Sequence, residues 1–244
     1  MLNDQFAIRR LSFVIRISPF LLIVATAALG QENNRIGVDW GLRHEAGVET
    51  RLLLTGLAEY RLCPRFVLSG LGAWAGLDNP GIARYGLAAG FQFWEKRATI
   101  ELELMHEEWS DWQTAENRLL GIVDVQPMAR LGLGAGAAWR CPVIGPGRYH
   151  SPFLWQSAAA ELNLAYRLWW EFLNRPAASA AVYLANADRF SFHTPQQLPL
   201  GLRLSIRRGP NTVSAQLGTA LVGLSGLLLS WTELSCHLGM SREF

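Results

Sequence analysis

The sequence is poor in charge and almost free of lysine. Only 17% of its 244 residues are charged, whereas soluble domains carry about 25%. Nearly all of the basic residues are arginine, and Lys96 is the one lysine. The formal net charge is only +2, so nothing in the composition indicates nucleic acid as a partner.

Paired cysteines are also lacking. The three cysteines, Cys63, Cys141 and Cys236, are an odd number at wide spacing, which excludes a dense disulfide framework and a C-x-x-C metal site. No H-E-x-x-H spacing occurs either, so no zinc protease motif is present. We therefore expect no metal and no cofactor, and we interpret the cysteines as small hydrophobic residues.

A long apolar helix is the third absence. Residues 17–29 are apolar, but this run is short for a membrane span. It follows three arginines and ends at small residues before a polar stretch, an order typical of a cleaved signal peptide. We assign residues 1–30 to the signal and residues 31–244 to one domain; an uncleaved anchor helix is the alternative. The apolar segment 217–231 is short and contains glycines, which favour two strands and a turn.

What the sequence has instead is alternation with a period of two. In Ile100–Leu104 the even positions are apolar, and Glu101 and Glu103 stand between them. The same period recurs in three further segments: 36–43, 200–207 and 233–240. Successive side chains of a strand point to opposite faces, so this pattern predicts strands with one apolar and one polar face.

Turn signals divide the chain after residue 34 into twelve such segments. The predicted strands are 35–44, 50–62, 66–77, 82–94, 98–109, 117–126, 128–140, 153–168, 176–187, 198–208, 212–223 and 228–244. Their connections form two sets. The short turns are 63–65, 95–97, 126–128, 169–175 and 208–211, and the longer loops are 110–116, 141–152 and 188–197. Outer-membrane barrels have this asymmetry, with tight periplasmic turns and longer external loops.

Aromatic residues support the same strand map. Most of them lie at predicted strand ends, for example Tyr166 and Trp169 at periplasmic ends and Trp139 and Phe190 at external ends. Two girdles of aromatic side chains at the levels of the lipid headgroups are typical of a membrane barrel.

The last segment carries a more specific resemblance. It alternates through Leu238 and Met240 and ends on Phe244, and it resembles the terminal β-signal of bacterial outer-membrane proteins. Arg242 departs from that pattern, because the family more often has an apolar or aromatic residue there. The resemblance implies an all-β fold, a closed antiparallel transmembrane barrel of about twelve strands, with eight or ten as alternatives. It also implies export through the periplasm, a location in the bacterial outer membrane, and the membrane lipid and the barrel assembly machinery as partners.

The polar face of such a barrel lines its lumen. The candidates for lumen and selectivity residues are charged side chains of both signs: Asp39, Arg43, Glu101, Glu103, Arg130, Glu161, Arg203 and Arg207. Buried charges need partners, and we expect Glu101 and Glu103 to face Arg203 and Arg207.

Three functions are compatible with this lumen. The first hypothesis is a narrow porin-like channel for small polar solutes. The second is a plugged structural or surface-interaction barrel whose loops 141–152 and 188–197 bind an external partner. The third, a rim hydrolase, would use His106 and Asp111, but the sequence pairs no nucleophile with a base. We therefore assign no catalytic residue and do not expect an enzyme.

Overall fold

A computed structural model gives the structure of the chain and describes residues 34–45, 51–75, 82–109, 114–144, 156–157, 160–188, 191–193, 197–222 and 230–244. The predicted signal peptide and parts of several loops lie outside these residues. The twelve long strands are β1 (Arg35–Glu45), β2 (Arg51–Cys63), β3 (Phe66–Ala75), β4 (Ile82–Phe93), β5 (Ala98–Trp109), β6 (Thr114–Met128), β7 (Leu131–Ile144), β9 (Glu161–Arg175), β10 (Ala178–Ala185), β13 (Leu198–Arg208), β14 (Asn211–Val222) and β15 (Ser230–Glu243). Three short strands complete the set: β8 (Gln156–Ser157), β11 (Ala187–Asp188) and β12 (Ser191–Phe192). Among the described residues, no helix could cross a membrane.

The long strands form one closed antiparallel ring. Each pairs with the next long strand along the chain, and β15 returns to pair with β1 from Arg35↔Glu243 to Glu45↔Glu233. Closure gives every strand two neighbours, which satisfies the backbone groups in a medium that contains no water. The predicted closed barrel of twelve strands is therefore confirmed.

The period of two places the apolar residues outside and the polar ones inside. On β5 the outward Leu102 and Leu104 are exposed, whereas the inward Glu103 and Glu107 are buried. On β7 the outward Trp139 and Leu133 are likewise exposed, and the apolar residues of most other long strands also point outward. A continuous exposed apolar surface is what a barrel in contact with lipid requires.

The two ends of the barrel differ as predicted. At one end, here called the turn rim, adjacent strands are joined by turns of two to four residues. At the other end, the loop rim, the connections have four to 16 residues, and the longest, between β7 and β9, contains β8. Both ends of the barrel domain, Asn34 and Phe244, lie at the turn rim, where the Phe244 N–H donates to the Asn34 carbonyl at 2.9 Å.

Two predicted turns are wrong because the strands continue through them. β6 passes Pro127 to Met128 across an irregularity in its register with β7, so the turn lies at residues 129–130. β9 continues to Arg175 and pairs with β10 along its length, so the predicted turn 169–175 is strand. As a consequence Tyr166, expected at a strand end, lies in the middle of β9.

The C-terminal residues show how the unusual arginine is accommodated. Leu238 and Met240 point outward and are exposed, as is Phe244. The guanidinium carbon of Arg242 lies 5.4 Å from the centre of the Phe244 ring, a cation–π geometry. At the rim the long arginine side chain can cover apolar surface while its charge stays near water, so it does not disturb the pattern.

The outward face predicts a test of membrane insertion. Leu102→Arg places a charge near the middle of the apolar surface and should lower the free energy of unfolding in lipid vesicles by about 2–4 kcal/mol. The control Ile206→Arg, on the same face but close to the turn rim, should cost about 1 kcal/mol or less. Equal losses, measured by denaturant titration of the refolded protein, would contradict the placement of this face in lipid.

Candidate functional site: the barrel lumen

The inward side chains divide the lumen into two unlike walls. The packed wall is formed by β5, β6, β7 and β9, and its large apolar and charged side chains lie over the small inward residues of β7, with Trp169 over Gly132 and Asp124 over Gly134. The open wall, formed by β13, β14, β15 and β1, carries many small ones, including Gly201, Ser214, Gly218, Ser235 and Gly239. Neighbouring side chains take up part of the space in front of them: a Cβ added at Gly201 would overlap the Tyr183 side chain, and one at Gly239 would meet Ser214 Oγ.

Arg167 is the central charge of the packed wall. Its guanidinium donates to Glu101 at 2.9 Å and to Asp124 at 2.8 Å. All three side chains are at most 16% exposed, and a buried charge is tolerated only when it is paired. Gly134 on β7 makes this arrangement sterically possible, because a Cβ there would overlap Asp124 Oδ1.

Further ion pairs fill the packed wall toward the loop rim. Arg118 donates to Glu103 at 3.2 Å, and their side chains are 4% and 0% exposed. Arg84 donates to both carboxylate oxygens of Glu107, at 2.8 and 2.9 Å. A third pair joins Arg140 to Glu116 through two hydrogen bonds. Because these groups neutralise one another and exclude water, this wall is a structural support rather than a path for solute.

Part of the connection between β10 and β13 folds into the lumen. This inward segment consists of residues 186–188 and 191–193. Ala187 is fully buried in a cluster with inward residues of the packed wall, and Phe192 packs against that cluster. The Phe192 ring also lies 5.5 Å from the guanidinium of Arg118 and 5.8 Å from that of Arg140. The segment therefore covers the packed wall, and the prediction of residues 188–197 as a purely external loop is wrong for this part.

Polar contacts fix both sides of the inward segment. On the packed side, the Asn186 side chain donates to the Leu164 carbonyl at 2.8 Å and accepts from the Tyr166 N–H at 2.7 Å. On the open side, Asp188 accepts from Arg203 at 2.7 Å. His193 Nε2 lies 3.1 Å from Glu233 Oε2. The segment thus spans the lumen from β9 to β13 and β15 and narrows it.

The open wall is accessible to water. The Arg203 side chain is 46% exposed and its partner Asp188 is 33% exposed, although Arg203 lies inside the barrel and away from both ends of β13. Arg203 also donates to the Gln216 side chain at 3.1 and 3.2 Å. Nearby on the same wall, His237 Nδ1 lies 2.9 Å from Asp39 Oδ1, and that pair is partly exposed. This wall therefore presents water-accessible charges of both signs.

The structure places most of the predicted lumen residues on the inward face. Six are there: Asp39, Glu101, Glu103, Glu161, Arg203 and Arg207. Arg130 is a correction, because the extension of β6 puts it in the turn before β7. The side chain of Arg43 lies outside the described residues.

The predicted pairing of Glu101 and Glu103 with Arg203 and Arg207 is wrong. The acids lie on β5 and are bound by arginines of the same packed wall, whereas Arg203 binds Asp188 and Arg207 binds Glu243 at 2.5 Å. The alternation in the sequence predicts which face of its strand a residue occupies. It does not predict which side chains of other strands lie near it in the lumen. Two further lumen residues, Asp124 and His237, were not predicted. Both lie at inward-facing positions of their strands, so extending the period of two along those strands identifies them. No local pattern marks the inward segment.

Of the two residues predicted for a rim hydrolase, the structure describes only one. His106 points outward from β5, and Asp111 lies outside the described residues. In the part of the chain that the structure describes, no group of three His, Cys, Asp or Glu side chains could hold a metal ion.

The barrel is similar in fold to solved structures of known proteins. No protein-family model and no curated protein sequence matches the chain. The solved KdgM porin is similar, with a TM-score of 0.52 and 12% identity over 85% of this chain and 99% of that chain. An outer-membrane channel of the COG4313 group from Pseudomonas putida F1 has a TM-score of 0.52 and 11% identity over 88% of this chain and 96% of its own. The translocator domain of the autotransporter NalP from Neisseria meningitidis has the same score and identity over 99% and 98%. At these identities the likeness shows the fold, which is that of bacterial outer-membrane β-barrels.

The Arg167 cluster yields a prediction about stability. Removing both carboxylates with Glu101→Ala and Asp124→Ala leaves the buried Arg167 cation without a counter-charge in this cluster, with the Ala187 carbonyl as its remaining described acceptor, and should lower the free energy of unfolding by about 3–5 kcal/mol. Adding Arg167→Met should recover most of the loss, because the apolar replacement needs no partner. As a control, Asp188→Ala at the exposed Arg203 pair should cost about 1 kcal/mol or less. Denaturant unfolding of the wild type and the three variants measures these values, and a triple variant no more stable than the double one would contradict the role of the charge.

Proposed function

We propose that this protein is an outer-membrane channel for small polar solutes, with its path along the open wall of the lumen. The observation that carries the proposal is the exposure of Arg203 and Asp188 inside a barrel whose opposite wall buries the Arg118–Glu103 pair. A lumen that is open to water at this depth has room for a small polar solute. The solved porin and channel of the same fold support the proposal by analogy of architecture.

The path would be narrow and of mixed charge. The inward segment bridges the lumen from β9 to Arg203 on β13 and Glu233 on β15, so a solute would pass beside this bridge, along β14, β1 and the rest of β15. Along this path it meets Arg203, the Asp39–His237 pair and the Gln216 amide. These groups can exchange hydrogen bonds with a hydroxylated or charged solute, and no single sign of charge dominates. We therefore expect weak ion selectivity that one substitution can shift.

Arg203 provides the test of the path. In planar bilayers the refolded protein should conduct, and Arg203→Glu should move the reversal potential in a salt gradient toward cation selectivity, because it reverses a water-accessible charge. The matched control is Arg242→Glu, which alters a charge on the outer face and should leave the reversal potential unchanged. A wild-type protein without conductance, or equal shifts in both variants, would overturn the proposal.

The inward segment should limit the conductance. Phe192→Ala removes the ring that packs on the buried cluster, and Asp188→Ala removes the anchor to Arg203, so the double variant should loosen the segment. Single-channel conductance is expected to rise by about twofold or more, because the segment no longer narrows the lumen. Leu238→Ala, which shortens an outward side chain, serves as the control and should conduct like the wild type. An unchanged conductance in the double variant would show that the segment does not border the path.

The alternative from another class is a plugged structural barrel whose loops bind an external partner. The burial of Ala187 and Phe192 favours it, since they already close part of the lumen. Absence of conductance in both the wild type and the loosened double variant would favour this alternative. In either case we propose that the terminal strand through Leu238, Met240 and Phe244 is read by the barrel assembly machinery. We propose no enzymatic role.

A further inference from the structure

An exposed arginine lies at each connection of the turn rim. Each of the five turns there has one, within the turn or at the residue before it, and β15 has another near its end at the seam with β1. None of these side chains forms an ion pair with a residue that the structure describes, whereas the inward Arg35 and Arg207 at the same rim contact Glu59 and Glu243. The six exposed arginines, here called the basic ring, are Arg65, Arg97, Arg130, Arg175, Arg208 and Arg242.

Each arginine of the basic ring has an exposed apolar neighbour two or three residues away in the chain. At Arg242 the two groups are in contact, because its guanidinium carbon lies 5.4 Å from the centre of the Phe244 ring. Apolar side chains beside cationic ones are typical of the level of the lipid headgroups. The apolar neighbours are 43% to 66% exposed, and they are Leu62, Trp94, Met128, Phe172, Ile206 and Phe244.

The turn between β4 and β5 presents the largest group of such side chains. Trp94, Glu95 and Lys96 all have positive φ angles, of 47°, 53° and 68°, a conformation that costs free energy for residues other than glycine. The Arg97 N–H donates to the Trp94 carbonyl at 2.9 Å and closes the turn. Strained backbone occurs preferentially at binding sites, and this turn holds an indole that is 61% exposed beside two cations.

The exposed charge of the turn rim favours an anionic ligand. The six arginines and Lys96 outnumber the one exposed acid described there, Glu95. A guanidinium group forms two parallel hydrogen bonds with phosphate oxygens, so arginine is well suited to bind phosphate. Phosphatidylglycerol brings a phosphate without a cation, whereas phosphatidylethanolamine also brings an ammonium group that the ring repels. The charge pattern therefore favours an anionic phospholipid.

A membrane lipid fits this surface better than a soluble polyanion does. A polyanion would contact the arginines but leave their apolar neighbours in water. The acyl chain of a lipid covers those neighbours and continues along the outward face, which is apolar above the rim, for example at Phe91 and Ile100. Adjacent turns are two strands apart, or roughly 10 Å, so separate headgroups can bind at different turns.

We infer that the basic ring binds anionic phospholipids of the leaflet at the turn rim. The lipid phosphates contact the arginines, and the acyl chains lie against the apolar neighbours and the outward face above them. The ring thereby fixes the height of the barrel in the membrane. This inference depends on the location of the barrel in a membrane and not on conduction, so lipid binding and channel activity are tested separately.

Native mass spectrometry of the refolded protein in detergent micelles tests the inference. Phosphatidylglycerol, phosphatidylethanolamine and lipid A are titrated separately, and the bound copies are counted. We expect more copies of phosphatidylglycerol to bind than of either other lipid. The triple variant Arg65→Gln, Arg97→Gln and Arg130→Gln removes half of the ring and should lose about half of the bound copies, because each basic residue near the headgroups contributes separately to the attraction.

Two controls separate the charge of the ring from the net charge of the protein. Lysine at the same three positions keeps the charge and should retain most of the binding, and Arg203→Gln removes one charge from the lumen and should retain all of it. Heat-modifiable gel migration confirms that each variant is folded. Equal counts of phosphatidylglycerol and phosphatidylethanolamine, a preference for lipid A, an unchanged count in the glutamine variant, or binding of soluble polyphosphate in place of phosphatidylglycerol would each overturn the inference.

Discussion

The pairing of the first and last strands is the constraint on which the rest of this structure depends. β1 and β15 are joined over eleven residue pairs, and this seam turns a row of hairpins into a ring. In lipid an open edge would leave a line of unpaired N–H and C=O groups, each costing several kcal/mol. Once the ring is closed, the period of two assigns every side chain to lipid or to the lumen.

Charged side chains buried in the lumen need partners, and the two walls meet this requirement differently. The packed wall gathers its arginines and carboxylates into pairs and covers them with Phe192 and its neighbours. The open wall consists of small residues and a few charges that remain in contact with water. This division lets one half of the lumen contribute rigidity while the other half keeps space, which a uniformly filled barrel of this width could not provide.

The parts that were predictable from the sequence are those with local causes. Alternation in Ile100–Leu104 fixed both the strand and its faces, since neighbouring residues of a strand must point oppositely. The position of the turn after β6 was missed, because Pro127 usually ends a strand yet here sits at an irregularity in the register. Ion-pair partners on different strands, such as Glu101 and Arg167, are 66 residues apart, and no pattern within one strand encodes them. The inward segment was missed for the same reason, as its position depends on contacts with distant strands.

The inward segment has a consequence for how such a protein can diversify. Residues 186–188 and 191–193 belong to a connection, and the two short strands among them pair with each other rather than with the ring of long strands. Their replacement or lengthening would alter the width and chemistry of the interior without touching the seam that holds the wall together. Closure of the ring and the width of its interior therefore depend on different residues, and one can change by mutation while the other is retained.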